Sequence, residues 1–508
     1  MSSNVYRGII DFINHPLVNQ YRDVDWERWI RTQKNAPYNV PRYETREEAY
    51  QAIQTIPVMS GLSCVESKDF MLNVIIPFIE QRQSLDKHMC FSNNPYTDSS
   101  PVLVKDITCK LRRTFDFVWN VLRSGIIVAV YKKRVICFCP FFNPNYTNSW
   151  PVGTLGNSED RPHVLPKKNW WCNGGIICNE YYPWGTHFCM QLKDMISEVV
   201  DRFNISDAVF CINKRDYPQY KYNDSIDLLV EPYGFVYDAN DHDPQQDVPL
   251  SMHIRKNDVL PMMSFYGGKR FLDVLIPPTE DYEASTRRVY LPDYSCKIGM
   301  SRTSIRDLTS AVPLTIEPLS TKKGVAFFRG SCTGSGRTIF TNQRLRLFTF
   351  AHELQSELLD VRCTSLNNNR LRKHYLEQIG GISSSVGFPV SDTFYVPMSE
   401  QIRHRYLIYV EGHCAACRLG IMLSSGCVVL KVQSSTVASE LWFTSKLNDF
   451  EHYISIREDL SDLMEKIEFL ENNQDTAQYI ANSARKFWED NLSHESLLSY
   501  VHESMNNL

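Results

Sequence analysis

Residues 406–432 read YLIYVEGHCAACRLGIMLSSGCVVLKV, and this stretch decides the fold. An apolar run over 406–410 stops at Glu411-Gly412-His413, small residues follow over 415–424, and Gly426 precedes a second apolar run over 428–432. Short β-branched runs bounded by glycine are typical of strands buried on both faces of a parallel sheet. The stretch therefore predicts strand, loop, helix and strand, with Arg418 in the first turns of the helix. Ligands of such sheets bind beyond the carboxyl ends of the strands, where this loop lies.

Composition excludes several classes of function. The chain has 508 residues, of which 43% are hydrophobic and 12% aromatic, and its formal net charge is −4. The length predicts at least two or three domains of about 100–200 residues each. A nucleic-acid binder with a basic surface is excluded because the sequence has no cationic cluster. No apolar run reaches the roughly 18 residues of a membrane helix, and the N-terminus lacks the features of a secretory signal. We therefore expect a cytoplasmic protein, with no membrane span and no secretion signal of its own.

The fifteen cysteines favour the same compartment, because an odd number scattered through a long chain indicates reduced thiols. Two pairs, Cys137/Cys139 and Cys414/Cys417, have the close spacing of zinc ligands. A closed zinc site needs four ligands, and neither pair has a second pair at suitable spacing. We interpret both pairs as core cysteines and expect no bound metal.

Strand-like and helix-like segments alternate along most of the chain, which predicts an α/β protein. Apolar runs over 125–131 and 134–138, separated by Lys132-Lys133, predict a hairpin. The predicted organisation is an N-terminal extension over 1–97, an α/β domain over 98–320, a second α/β domain over 321–485 and a final helix over 486–508.

Candidate chemistry lies where apolar runs end. Asp216 follows the run over 208–213, where it is either a catalytic carboxylate or the start of a turn before Tyr217-Pro218. Asp273 occupies a comparable position. The loop 330–337 combines glycine, serine and threonine with Arg337, so its N–H and hydroxyl groups could bind a phosphate, although a plain glycine-rich turn fits equally well. It lacks the Gly-Lys-Ser/Thr ending of a Walker loop.

Three segments, in order, resemble the family-90 glycosyltransferases, the group that contains protein O-glucosyltransferases and fungal capsule-associated xylosyltransferases. They are Asn213-Lys214-Arg215-Asp216-Tyr217-Pro218, then Phe327-Phe328-Arg329-Gly330-Ser331-Cys332-Thr333 with Arg337, and the opening stretch through Arg418 with Ser425-Gly426 and His452-Tyr453-Ile454. The phrase from Gly334 to Arg344 is similar to versions of this domain in large DNA viruses of protists.

The resemblance implies a GT-B-like architecture of two Rossmann-like domains facing a cleft. The acceptor side would be N-terminal, the nucleotide-sugar side C-terminal, and the last helix would return to the first domain. It also implies an inverting, metal-independent transfer of glucose or xylose from a UDP-sugar to a hydroxyl of a protein or glycan, with no cofactor. The implied base is Asp216, with Asp273 as a spare candidate, and the implied nucleotide-sugar residues are Ser331, Thr333, Arg337, Gly412, Arg418 and Glu440.

Two alternatives remain open at this stage. Cys332 stands where secretory members often have arginine, and Cys417 replaces an aromatic residue before Arg418, so a catalytically impaired, virion-associated structural protein is one alternative. The other is a metal-dependent transferase in which Asp241 and Asp243 form an Asp-x-Asp manganese site. An acidic loop of this kind is more often simply solvated.

Overall fold

The computed structural model describes sixteen segments of the chain and three isolated N-terminal residues. They are 104–119, 124–131, 133–142, 171–172, 175–177, 186–213, 218–220, 259–268, 271–286, 312–313, 315–334, 339, 342–366, 386–412, 414–434 and 438–508, with Leu72, Ile76 and Ile79. The predictions for Asp216, Arg337, Asp241 and Asp243 lie outside the described residues, as does nearly all of the extension over 1–97.

The first sheet has seven strands within the described residues, in the order β3-β4-β2-β1-β5-β6-β7. The strands are β1 Ser124–Val130, β2 Val135–Phe142, β3 Trp171–Cys172, β4 Gly175–Ile177, β5 Ala208–Ile212, β6 Met262–Ser264 and β7 Val274–Leu275. Helices α1 Val104–Phe117, α2 Thr186–Arg202 and α3 Thr279–Thr286 accompany it. Strands β5, β6 and β7 pair in parallel, so their carboxyl ends share one edge of the sheet.

The predicted hairpin is confirmed at the centre of this sheet. β1 and β2 pair antiparallel, and Tyr131 and Arg134 exchange backbone hydrogen bonds of 2.9 and 3.1 Å across the turn. Lys133 adopts the left-handed conformation that such a tight turn requires, with φ 57°. Because β1 is also antiparallel to β5, this sheet is mixed and differs from the wholly parallel sheet of a Rossmann domain.

The second sheet is entirely parallel and has the order β12-β11-β10-β8-β9. Its strands are β8 Lys323–Ser331, β9 Leu359–Ser365, β10 His404–Tyr409, β11 Val428–Val432 and β12 Ile454–Ile456. The helices of this half are α4 Gln343–Leu354, α5 Met398–Gln401, α6 Leu419–Ser424, α7 Leu463–Asn472, α8 Gln474–Asn491 and α9 His494–Asn506. From β8 the chain adds β9 on one side, and from β10 it adds strands on the other side. The boundary between β8 and β10 is therefore the switch point of the sheet, where doubly wound sheets bind ligands.

The opening stretch folds as strand, loop, helix and strand, but its helix begins later than predicted. Arg418 is the N-cap residue of α6 and does not lie within its first turns. The N–H groups of two preceding residues are bonded to tertiary partners. Ala415 donates to the Ala438 carbonyl at 2.8 Å and Ala416 to the Tyr409 hydroxyl at 2.8 Å.

Helices from the second half pack against the first half. On α9, Glu495 pairs with Arg202 of α2 at 2.7 Å, and Tyr500 donates to the Leu275 carbonyl at 3.1 Å. A second contact lies nearer the centre, where the Trp442 indole donates to Asp281 of α3 at 2.8 Å. One apolar cluster therefore spans both halves, and a second cluster lies around the second sheet. Among the described helices, none is long and apolar enough to cross a membrane.

Candidate functional site

The candidate site lies at the carboxyl edge of the second sheet, between β8 and β10. β8 ends at Ser331 and continues into Thr333 and Gly334, whose φ of 129° needs glycine. β10 is followed by Glu411 and Gly412. The sheet order thus brings two segments that are about 80 residues apart in the sequence side by side at the switch point.

Arg344, in the first turn of α4, connects these two segments. Its guanidinium donates to the Glu411 carbonyl at 3.0 Å and the Val410 carbonyl at 3.1 Å on the β10 side. On the β8 side it donates to the Ser331 carbonyl at 3.2 Å and to the Thr333 hydroxyl. Among the residues that the structure describes, neutral oxygens and not a carboxylate therefore hold the Arg344 side chain.

Gly412 allows the two segments to approach this closely. A Cβ atom at this position would lie 2.8 Å from the Thr333 hydroxyl oxygen and 3.3 Å from a terminal nitrogen of Arg344. The first distance is shorter than any ordinary contact of a side-chain carbon. Glycine at 412 is thus required by the packing of the site.

Arg418 is the second cation at this edge. It donates to the carbonyl of Arg329 at 2.9 Å, and its guanidinium lies 5.5 Å from the centre of the Phe328 ring. The Arg344 guanidinium lies 5.7 Å from the same ring. Neither Arg344 nor Arg418 forms an ion pair with a carboxylate among the described residues. An aromatic ring and neutral oxygens hold both groups.

The electrostatics of this pair favour an anionic ligand. Burial, and then repulsion from Arg418, lowers the pKa of Arg344 to about 10. Burial also lowers the pKa of Arg418, and the neighbouring Cys417, Tyr409 and Tyr395 act in the opposite direction. Both arginines remain charged at neutral pH at a desolvation cost, which an anion bound between them would reduce.

Glu411 adds a buried carboxyl beside the cations. Burial raises its pKa to about 7, opposed by the Ser434 hydroxyl, Lys431 and Arg344. Among the described residues, no donor forms a hydrogen bond of normal geometry with either Glu411 carboxyl oxygen. The Ser434 hydroxyl nevertheless lies near enough to lower the pKa of Glu411. The site thus contains a group that changes charge near neutral pH.

The family follows from the match to known sequences. A family model described as "Glycosyl transferase family 90" matches residues 235–507, more than half of the chain. The chain belongs to glycosyl transferase family 90. The residues at the switch point, Ser331, Thr333, Arg344, Gly412 and Arg418, which we call the cradle, lie inside the matched region.

Relatives of this family-90 chain include viral and animal proteins. It is 28% identical over 429 residues to uncharacterized protein 035R of Invertebrate iridescent virus 3, covering 78% of this chain and 36% of that protein. It is 28% identical over 257 residues to protein O-glucosyltransferase 2 of Danio rerio, covering 51% and 44% of the two chains. The chain therefore spans less than half the length of either relative. A solved glycosyltransferase from Rickettsia africae ESF-5 has 10% identity and a TM-score of 0.25, with 48% and 63% covered, which is too weak to support an inference.

The structure brings together four of the residues that the family-90 resemblance implied. Ser331, Thr333, Gly412 and Arg418 all lie at the switch point, and each of the first three is in contact with or beside Arg344. The backbone of Glu440 exchanges two hydrogen bonds of 3.0 Å with Gly267 of the first half, two residues after Ala438, whose carbonyl accepts from the Ala415 N–H. Arg344 had no assigned role from sequence, although its position two residues after the helix cap Asn342 is a signal that could have found it.

Asp273, the spare catalytic candidate, lies before β7 and not beyond a carboxyl end. Its Oδ1 accepts from the Gln219 N–H at 2.8 Å and the Ser264 hydroxyl at 2.6 Å, and its Oδ2 accepts from the Tyr220 N–H at 2.7 Å. Burial raises the pKa of Asp273 to about 6, and these hydrogen bonds act against the rise. Its carboxylate is thus already engaged by the protein.

The cysteines of this family-90 chain fit the interpretation as core residues. Cys137, Cys139 and Cys414 are buried, and Cys417 is partly buried. Cys332, in the loop after β8, lies with its sulfur 3.5 Å from that of Cys363 on β9. No group of three or more His, Cys, Asp or Glu side chains among the described residues is arranged to hold a metal.

Proposed function

We propose that this chain transfers a sugar, glucose or xylose, from a UDP-sugar to a hydroxyl of a protein or glycan. The observation that carries the proposal is the pair of guanidiniums, Arg344 and Arg418, which lack a described carboxylate partner at the switch point of a parallel sheet. A departing nucleoside diphosphate gains negative charge during sugar transfer. Positive groups that are fixed before the reaction stabilise such charge without reorganising.

Each residue of the cradle would have its own role in binding the donor. Arg418 would meet the diphosphate, since a guanidinium presents two parallel donors to phosphate oxygens. The Ser331 and Thr333 hydroxyls and Arg337 would donate to the same group, and Arg344 would hold the two segments at the right separation. The Gly412 position would keep the space beside the phosphates free of a side chain.

The acceptor hydroxyl needs a base, for which we propose Asp216. One carboxylate at hydrogen-bond distance from the hydroxyl contributes about 10²–10⁴-fold to the rate. Attack on the face opposite the leaving diphosphate would invert the anomeric centre. Because the arginines supply the positive charge, the proposed mechanism requires no metal.

A thermal-shift titration with UDP tests the proposal first. A nucleotide that binds only the folded state raises the melting temperature in proportion to the logarithm of its concentration. UDP, UDP-glucose and UDP-xylose should each raise the melting temperature. The absence of a shift at millimolar concentration would refute the transferase proposal. A mass-spectrometric screen of donors against protein and glycan acceptors then identifies the transferred sugar.

Two variants and a chelator separate the steps. Asp216→Asn should abolish transfer while UDP affinity stays within about twofold, and retained transfer would exclude Asp216 as the base. EDTA should leave transfer unchanged. A loss of transfer with EDTA that manganese restores would favour the alternative site at Asp241 and Asp243.

A further inference from the structure

Two cysteines contact each other beside the cradle. Cys332 follows Ser331 in the loop after β8, and Cys363 lies on the neighbouring strand β9. Their sulfur atoms are 3.5 Å apart, so that one thiol is hydrogen-bonded to the other. The sulfur atoms of a disulfide are about 2.05 Å apart, so closing this bond requires an approach of only about 1.5 Å.

The backbone around the two cysteines belongs to one paired edge of the second sheet. β8 and β9 pair in parallel, with Gly330 opposite Cys363, and the Cys332 N–H donates to the Ser365 carbonyl at 2.9 Å. Both cysteine side chains are buried, with exposed fractions of 0% and 1%. The two sulfur atoms are therefore held against each other before any oxidation takes place.

The Cys363 thiol differs in acidity from other buried thiols of the chain. Burial raises the pKa of Cys137, and it raises the pKa of Cys211 to about 12. The pKa of Cys363 is instead lowered, chiefly by the hydrogen bond with Cys332 and further by the Arg344 guanidinium, although burial opposes the shift. Because the thiolate is the nucleophilic form of cysteine, Cys363 is the member of the pair that is suited to react first.

A cavity provides room for a small oxidant beside Cys363. The cavity has a volume of about 290 Å³, and its walls include Cys363 together with Phe348 and Phe388. Hydrogen peroxide is little larger than a water molecule, which occupies roughly 30 Å³ in the liquid, so the cavity can hold it. None of the five cradle residues lines this cavity. An oxidant and a nucleotide would therefore occupy different places.

We propose that Cys332 and Cys363 are a site of reversible oxidation, at which a peroxide closes a disulfide that draws the loop after β8 towards β9 and weakens donor binding. The Cys363 thiolate attacks one peroxide oxygen, the O–O bond breaks and a sulfenic acid forms. The Cys332 sulfur then attacks the sulfenic sulfur, the S–S bond forms and water leaves. In total, two thiols lose two electrons and two protons, and one hydrogen peroxide becomes two water molecules.

The effect on the cradle follows from the position of Cys332 between two cradle residues. Arg344 donates to the Ser331 carbonyl at 3.2 Å and to the Thr333 hydroxyl. A displacement of the Cys332 sulfur by about 1 Å towards β9 pulls both acceptors away from Arg344. It also moves the two hydroxyls that are proposed to donate to the diphosphate. This consequence for binding rests on the proposed function, whereas the disulfide itself does not.

The first measurement identifies the disulfide in the full-length protein. Reduced protein is treated with a small molar excess of hydrogen peroxide, the remaining thiols are alkylated, and the peptides are analysed by mass spectrometry. We expect a cross-linked peptide pair that contains Cys332 and Cys363 and that dithiothreitol separates. Oxidation of other cysteines without this cross-link, or no oxidation at all, would overturn the proposal.

The second measurement compares UDP binding before and after oxidation by calorimetry. The loss of one hydrogen bond to a charged group corresponds to about tenfold in affinity, so the oxidised protein should bind UDP about tenfold more weakly. Dithiothreitol should restore the affinity. Unchanged affinity in a protein whose disulfide has formed would overturn the link to the cradle. A reduced protein that binds no UDP would instead refute the proposed function, and the peptide analysis would still decide the disulfide.

Cys363→Ser tests the assignment to this pair, because it removes the sulfur that reacts first and lies outside the cradle. The variant should bind UDP as the reduced wild type does, and peroxide should not change that affinity. Cys139→Ser is the matched control, since Cys139 is equally buried but lies on β2 in the first half, and it should keep the full response. A Cys363→Ser protein that still loses UDP affinity on oxidation would contradict the proposal. Cys363→Ala carries the same test if the serine variant does not fold.

Discussion

The two halves of the molecule bury opposite charges. At the carboxyl edge of the second sheet, Arg344 and Arg418 are held largely by backbone carbonyls. In the first half, the buried groups are carboxylates held by donors, with Asp273 bonded to two N–H groups and a hydroxyl, and Asp281 bonded to the Trp442 indole. The second half also buries two carboxyls, Glu411 beside the cations and Asp462 at the start of α7.

This difference indicates a division of chemistry. A guanidinium bound to carbonyls keeps its full charge for an incoming anion, whereas one bound to a carboxylate would already be neutralised. A carboxyl bound to N–H groups keeps a defined orientation and faces no competing cation. The cations of the second half therefore favour that half as the place where the diphosphate of the proposed donor would bind.

The largest effect that tests this contrast concerns Asp281. Burial raises its pKa from 3.8 to about 7, so the folded state disfavours the charged form. A raised folded-state pKa gives stability that is present below about pH 4 and is lost as the pH rises to about 7. Asp281→Asn removes this pH dependence of the free energy of unfolding, which amounts to on the order of 4 kcal/mol at most. Melting temperatures between pH 4.5 and 7.5 should therefore fall less steeply in the variant.

Asp490→Asn is the control for that series, because Asp490 is exposed on α8 and pairs with Lys486 at 2.8 Å. Its melting temperature should fall with pH as steeply as that of the wild type, because exposed ion pairs contribute little to the free energy of unfolding. Equal slopes for wild type and Asp281→Asn would show that the carboxyl at the junction of the two halves is accommodated without cost. The contrast between the halves would then rest on Asp273 alone.

The next effect concerns the cation side. Arg418→Gln removes one charged donor from the cradle, and a hydrogen bond to a charged group contributes about 1.5–3 kcal/mol. We expect UDP affinity, measured by calorimetry, to fall roughly 10- to 100-fold. Arg403→Gln is the matched control, because Arg403 is exposed and pairs with Glu400 at 3.1 Å. Unchanged affinity in Arg418→Gln would contradict the assignment of the cradle to the diphosphate.

Much of the second sheet could be predicted from the sequence. The run over 406–410 is apolar, the run over 428–432 contains one charged residue, Lys431, and short runs of this kind bounded by glycine are typical of a strand covered on both faces by helices. The hairpin of β1 and β2 was equally readable, because two lysines separate two apolar runs. In both places the signal is local, so neighbouring residues carry enough information to fix the element.

The features of the fold and the site that the sequence did not predict depend on contacts between distant segments. Arg344 meets the carbonyl of Glu411, 67 residues away, and Asp273 accepts from Gln219, 54 residues away. The residues over 415–424 predicted a helix, but the helix begins at Leu419, and the N–H groups of Ala415 and Ala416 are bonded to the Ala438 carbonyl and the Tyr409 hydroxyl. Contacts of this kind are set by tertiary structure and leave no trace in the local pattern.

The smallest effect probes how tightly the two segments of the cradle must pack. Gly412→Ala places a methyl group 2.8 Å from the Thr333 hydroxyl oxygen and so forces the segments apart. Overpacking of this kind costs about 1–3 kcal/mol. We expect a lower melting temperature and UDP binding weaker by about tenfold.

In the Thr333→Ala background the obstructing oxygen is absent, so the same substitution should lower the melting temperature less. Equal penalties in both backgrounds would mean that Arg344, 3.3 Å from the added carbon, sets the spacing instead. The separation of the two segments would then be governed by the buried cation itself, and the charge contrast between the halves would extend to how the cradle is built.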